Sequence, residues 1–461
     1  MTLRTSIQLA GATLLVGLAV VGCGGRQHLG GPLKPWPLST DPIVFQDNFT
    51  GAVDFQAFGG SDYHALSVDT SEQYEGTGCL RITVPNVGWA GGAFTIIQPR
   101  DLTRYNTLSF YAKASKAVTI DVVGLGNDNT GNSKFEARRS KVPLTTTWTR
   151  YVVPVPLPSK LAQERGLFFF AAAPQAGTGY DVWFDDVKFE TDQAISLRRA
   201  TLTSRTLNTF IGAALNLSTT VTGTKTIFNV GVTDSVVVEH MPGYFGYSSS
   251  DPAVATIENE AIRVVGAGSA TVSARLDTTL VKGAVTLNTA VFTPGLAPTP
   301  TIPASNVISL FSNAYPNRTV ETWSANWPDM ADVADLTIYG NDLKQYTNFY
   351  YAGIEFVSKP NQIDASAMTH FHLDVWASTG TVFKVKLVDF GANGVYLGGD
   401  DSAHELSFNA SSVPPFVNGA WVGLEIPLGD FTNLHSRVHL AQLVISGDMR
   451  TVYVDNVYFH R

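Results

Sequence analysis

Along Phe371-His372-Leu373-Asp374-Val375-Trp376, a period of two sends Phe371, Leu373 and Val375 to one face of a strand and His372, Asp374 and Trp376 to the other. A sugar ring offers an apolar C–H face and a rim of hydroxyls, so an aromatic plane beside hydrogen-bonding side chains is what would hold it. Over residues 383–388 the same alternation separates Phe383, Val385 and Leu387 from Lys384 and Lys386. If these two strands are neighbours in one sheet, both polar faces line a shared groove; the alternative is a Trp376 that caps the core edge and two merely solvated lysines. Tyr111, opposite in parity to Leu108, Phe110 and Ala112, is a further sugar-binding candidate. Trp89, Trp323 and Trp327 fall in loops, where binding residues gather on a rigid scaffold, with a buried structural role as the alternative for each.

Hydrolysing a glycan would need two carboxylates about 5 to 5.5 Å apart for retention, or wider for inversion. Asp185-Asp186 and Asp400-Asp401 are adjacent pairs, and neighbours on a strand point to opposite faces, so neither pair can flank one bond. A hydrolase would have to draw on Asp374, Asp389, Asp400, Asp401 and Glu405. No Gly-x-Ser-x-Gly elbow and no Cys-x-x-Cys is present. His370 and His372 share a strand face, where metal ligation competes with sugar hydrogen bonding and plain exposure.

The elements that must position these residues are strands. Aromatic residues make up 11% of the chain and mix with Val, Thr, Gly and Asn, the vocabulary of strands and turns. No segment shows a convincing helical face, and the expected class is all-β. At 461 residues the chain exceeds what one core organises. A net charge of −8 with no dense Lys/Arg run excludes nucleic acid as a partner.

The chain repeats itself. Residues 101–115 (DLTRYNTLSFYAKAS) align without gaps to 364–378 (DASAMTHFHLDVWAS), and each copy continues to a Trp-led strand ending in Pro and closes on a strand carrying Asp185-Asp186 or Asp455-Asn456. Two sandwiches are expected, over 41–191 and 305–461. This succession resembles the jelly-roll carbohydrate-binding modules of bacterial glycan-degrading enzymes and surface glycan-binding proteins. The resemblance implies a structural calcium as cofactor, with Asp47, Glu75 and Asp186 at the matching places in the first copy and Asn313 and Asp455 in the second. Phrases such as Lys384-Val385-Lys386-Leu387-Val388-Asp389-Phe390-Gly391-Ala392 make the second copy similar to modules appended to family 16 glycoside hydrolases of the laminarinase type, which implies β-glucan, β-1,3-glucan foremost. The Glu-x-Asp-x-x-Glu of those hydrolases is absent.

Between the copies, Ser250-Asp251-Pro252 and Gly266-Ala267-Gly268 resemble the group 2 bacterial immunoglobulin-like domain (BIG2), assigned to 193–292 as a spacer, with 293–304 a Pro-rich, semi-stiff linker. At the start, a 13-residue apolar stretch from Leu9 to Val21 is too short to span a bilayer. It ends in Val20-Val21-Gly22-Cys23, which resembles a bacterial lipobox and implies a signal peptide over 1–22, lipidation at Cys23, a tether over 23–40 and an anchor in the outer membrane or cell surface. The remaining Cys79 reads as a packed thiol. The expected protein is a monomeric, non-catalytic, surface-anchored polysaccharide binder. The alternatives are a β-glucan hydrolase or hydrolase-associated protein, and an adhesive or structural envelope protein.

Overall fold

The computed structural model describes residues 37–49, 52–217, 222–258 and 260–461. The signal segment, Cys23 and all of the tether before residue 37 lie outside the described residues. As expected, the fold is all-β, with single-turn 3-10 segments at a few strand ends.

The first module is a sandwich of a seven-stranded and an eight-stranded sheet among the described residues. Alternation builds its core: Leu108, Phe110 and Ala112 from one sheet meet Phe94, Phe168 and Phe170 from the other. The eight-stranded sheet does not stop at the module's end. Strand Asp234–His240 joins the edge strand Ala137–Leu144 through Glu239↔Arg138 and His240↔Ala137, so strands Lys225–Val230 and Ile195–Thr201 continue the same sheet. The core is likewise continuous from Val44 to Leu287. Tyr244, fully buried, donates its hydroxyl to the Phe135 carbonyl at 2.7 Å.

The middle region adds a five-stranded and a three-stranded sheet among the described residues. Its glycine spacing has a direct steric reason, since a Cβ on Gly266 would stand 2.2 Å from the Ala253 carbonyl oxygen.

The last module packs a six-stranded sheet on a four-stranded one, again among the described residues. The Pro-rich linker does not stand free. It runs as a strap over the outer face of the six-stranded sheet, where Gly295, Pro298 and Ile302 present carbonyls to Trp421 Nε1 at 3.2 Å, Asn456 Nδ2 at 3.0 Å and the Tyr315 hydroxyl at 2.8 Å.

Candidate functional site

In the last module the outer face of the four-stranded sheet forms a cleft of about 700 Å³. Strand register lays it out in rows: Tyr351, Ser446, Lys384 and Ser407 in the first, Gly353, Val444, Lys386 and Glu405 in the second, Glu355, Gln442, Val388 and Ala403 in the third. Trp327 enters from a preceding loop and lies flat on Gly353, where a Cβ would come within 2.6 Å of the indole. Glycine is thus required there by close approach. Tyr351 stands beside it with ring centroids 6.2 Å apart. Phe390 and Tyr396, 5.4 Å apart, form a second aromatic pair on the cleft wall, and Tyr396 is 58% exposed. Between them lie hydrogen-bonding groups. Gln442 Nε2 donates to Glu355 Oε1 at 3.0 Å and Lys384 Nζ to Glu405 Oε1 at 3.0 Å. The half-buried Lys386 lines the same cleft.

The first module repeats this arrangement at the same place in its ladder. The Phe58 amide donates to the Gly91 carbonyl at 3.1 Å, as the Ala325 amide does to that of Gly353 at 2.8 Å. Gly91 pairs with Ala171 as Gly353 pairs with Val444. Gly91 and Gly353 are therefore equivalent, and each carries a tryptophan: a Cβ on Gly91 would meet the Trp89 ring at 2.7 Å. Phe58 and Trp89 are stacked with centroids 6.4 Å apart, and Phe169 adds an edge to Phe58 at 6.4 Å. Phe169 lies in turn on Gly124, where a Cβ would be 2.4 Å from its ring. The row Gln56, Ala93, Phe169, Gly124, Arg138 ends on a charged cluster, with Arg138 3.4 Å from Glu136 and 3.6 Å from Glu239. Burial pushes the Glu136 carboxyl above its ordinary range, against the pull of Arg138.

Trp89, Trp327 and Lys386 thus reach the two faces, with Lys384 on the rim of the second. The other candidates lie elsewhere. Trp376 is only 6% exposed and packs with Tyr453, Phe292 and Ala213 in the joint between the middle region and the last module. It cannot offer its plane to a sugar. Asp374 is buried and accepts Asn456 Nδ2 at 2.8 Å. His372 lies against Tyr458, rings 4.6 Å apart. These three belong to the six-stranded sheet and the two lysines to the four-stranded one, so the shared groove does not form. Trp323 packs against Phe311, with Lys344 Nζ 4.7 Å from its ring centre. Tyr111 stacks on Tyr74 across the opposite face of the first module from Trp89.

The positions that the resemblance assigns to calcium are engaged as follows. Asp47 accepts the amides of Thr77 and Gly78, and Asp186 pairs with Lys188 Nζ at 2.7 Å. The carboxylate turned inward is that of Asp185, and its oxygens accept the Tyr74 and Glu75 amides at 2.8 and 3.3 Å and the Asp186 amide at 2.7 Å. Glu75 thus contributes its N–H there. In the last module Asp455 sits as Asp185 does, accepting the Asn456 amide at 2.7 Å and Asn341 Nδ2 at 2.8 Å. Burial pushes its carboxyl up to about 6. Asn313 binds Asp342 through both its amide nitrogen and its oxygen, at 3.0 and 2.7 Å.

Residues 41–191 match the family model of carbohydrate binding domain 30. The match covers the first module with its Trp89 face. A search of curated proteins gives no match. Among solved structures, the chain is similar to a family 30 carbohydrate-binding module of a cellulosomal cellulase of Clostridium thermocellum, at 21% identity over 34% of this chain and 96% of that one, TM-score 0.24. The N-terminal tandem of two family 22 carbohydrate-binding modules of Paenibacillus barcinonensis Xyn10C is similar at 10% identity over 92% and 99% of the two chains, TM-score 0.22. A β-1,2-glucanase of Parabacteroides distasonis is similar at 13% identity over 56% of this chain and 40% of that one, TM-score 0.24.

Sequence reasoning missed Phe58, Phe169, Tyr351, Gln442, Glu355 and Tyr396. The strand order that gathers the last four is not the order of the chain, and single-strand alternation carries no trace of it. The glycine-aromatic signal in Trp89-Ala90-Gly91 was available, because residues two apart share a face.

Proposed function

We propose that this protein is a non-catalytic, surface-anchored polysaccharide binder that grips β-glucan, β-1,3-glucan foremost, through both modules. The observation that carries this reading is the tryptophan laid on a glycine at the same ladder position in each module, flanked by a second aromatic ring and by hydrogen-bonding side chains. Such a plane matches the C–H face of a sugar, and the polar groups match its hydroxyls. The match of residues 41–191 to a carbohydrate-binding family supports it.

Capture without cleavage is favoured by the cleft itself. Glu355 and Glu405 are the carboxylates that line it, and their strands are three spacings apart, about 14 Å. That is the spacing of their backbones, and each carboxylate is already engaged, Glu355 by Gln442 and Glu405 by Lys384, whereas a glycosidase needs its pair free to face one bond. Lipidation of Cys23 would hold the molecule at the membrane, and two sites on one chain gain avidity wherever one polysaccharide reaches both.

The test incubates the full chain with β-1,3-glucan, cellulose and mannan, scoring retention and released reducing sugar together. Retention on glucan without release is expected, with retention weakened in Trp327→Ala. Release of sugar would make the protein a hydrolase, and neither retention nor release would favour an adhesive or structural envelope protein. For the anchor, membrane recovery that disappears in Cys23→Ala is expected.

A further inference from the structure

On the outer face of the six-stranded sheet, at the far end from Trp376, three strands bring together His370, Glu425 and His460. His370 is the register partner of His460, and His372 that of Glu425. The imidazoles of His370 and His460 lie nearly parallel, ring centres 5.1 Å apart. One ligand atom from each of His370, Glu425 and His460 falls within 4.8 Å of the other two. Glu425 Oε1 faces His460 Nε2.

A second layer holds these groups in place. His372 Nδ1 lies 2.8 Å from Glu425 Oε2, its Nε2 lies 3.6 Å from Asp374 Oδ1, and Asp374 is fixed in turn by Asn456. His370 Nδ1 is 2.9 Å from the Thr369 hydroxyl, which leaves its Nε2 as the ligand atom. A carboxylate oriented by an outer imidazole, and an imidazole oriented by a hydroxyl, are the supports that metal ligands ordinarily have.

The geometry points to a divalent transition-metal site, of zinc type, formed by His370, Glu425 and His460. Two imidazoles and one carboxylate suit zinc, with water completing four-coordination. The nitrogen donors argue against calcium or magnesium, which take oxygen ligands. His460 is buried, His370 half-buried and Glu425 exposed, so an ion reaches the site from solvent without the sheet opening. His460 ends the closing strand Thr451–His460. A bound ion therefore ties that strand to its neighbours His370–Ala377 and Val422–Pro427.

The test titrates zinc into the chelator-stripped full chain, by calorimetry and by melting temperature, with cobalt as the spectroscopic probe. One zinc per chain is expected, with a higher melting temperature and visible absorption of tetrahedral cobalt. His370→Ala and Glu425→Gln each lose the cobalt spectrum and weaken zinc at least tenfold, whereas Trp327→Ala binds zinc as before. His372→Ala, which removes a positioning residue, weakens binding by about 10- to 100-fold. No zinc uptake by the folded wild type, or uptake undiminished in His370→Ala and Glu425→Gln, overturns the site. The half-buried His370 and exposed Glu425 are chosen over buried His460 so that folding is retained. No glycan enters the measurement, so its outcome is independent of polysaccharide binding.

Discussion

The two modules place a tryptophan on the same glycine and then diverge. Next to Gly91, register puts Ala171 and Val122; next to Gly353 it puts Val444 and Lys386. Where the first module lays Phe169 over Gly124, the second sets Gln442 beside Val388. Where the first has Ser140, the second has Glu405. One face carries the half-buried rings of Phe58 and Trp89 beside a buried Phe169, with its charges at the far edge. The other is a walled cleft with charges in its middle. Backbone register keeps the glycine and its tryptophan in place, while the polar neighbours differ.

The comparison breaks first at the tryptophans. If both faces grip glycan by stacking, Trp89→Ala and Trp327→Ala each weaken polysaccharide retention about thirtyfold, the scale of an interface hot spot, and the double variant abolishes it. Affinity electrophoresis in glucan gels reads this, and a single variant that already abolishes retention would assign all binding to one module.

Next is pH. Each module buries a carboxyl: Glu164, which burial pushes from 4.5 up to about 7, and Asp455, pushed from 3.8 up to about 6. The folded state favours the protonated form of both. Their contribution to stability is present below the unfolded values and is lost as pH rises, through about 7 for Glu164 and about 6 for Asp455. Glu164→Gln removes the first loss, so at pH 8 it should stabilise by roughly 3 kcal/mol and at pH 4 leave stability unchanged. Thermal melts at the two pH values decide it.

Gly353→Ala sharpens the comparison. The three atoms nearest the added methyl all belong to the Trp327 ring, whereas on Gly91 the Phe170 carbonyl stands as close as the tryptophan, at 2.7 Å. Gly353→Ala should therefore lower glucan retention about tenfold with an unchanged melt, and Gly91→Ala should lower the melting temperature as well. Smallest is Lys386→Ala, a loss of about two- to fivefold in affinity for soluble glucan, on the scale of one hydrogen bond, with no effect on the first module's share.

Much of the fold was legible because alternation reports which face of a strand is apolar, and the Phe110 and Phe371 strands obey it. The candidate site was legible only in its tryptophans and in the parity of Lys386. Trp376 and Asp374 were sorted to the correct face, but that face meets another region instead of water, and a strand's own pattern does not distinguish the two. Tyr351, Gln442 and Glu405 meet across strands distant in sequence, and so do His370, Glu425 and His460. Such meetings are set by strand order and register, which no local window contains. In the first copy the buried carboxylate is that of Asp185, one residue before the Asp186 that the sequence points to, whereas in the last copy it is Asp455 itself; Asp186 and Asn456 take positive φ values of 47° and 50° at a bulge.

The sheet that runs on past the first module bears on how such proteins can be cut and recombined. A gene fragment ending at residue 191 would remove strand Asp234–His240 from the edge it pairs with and Tyr244 from its seat against Phe135. The severed piece would present raw backbone donors and acceptors to any passing strand, and stickiness would follow. The portable unit is therefore longer than its binding face: the spacer is part of the part it spaces.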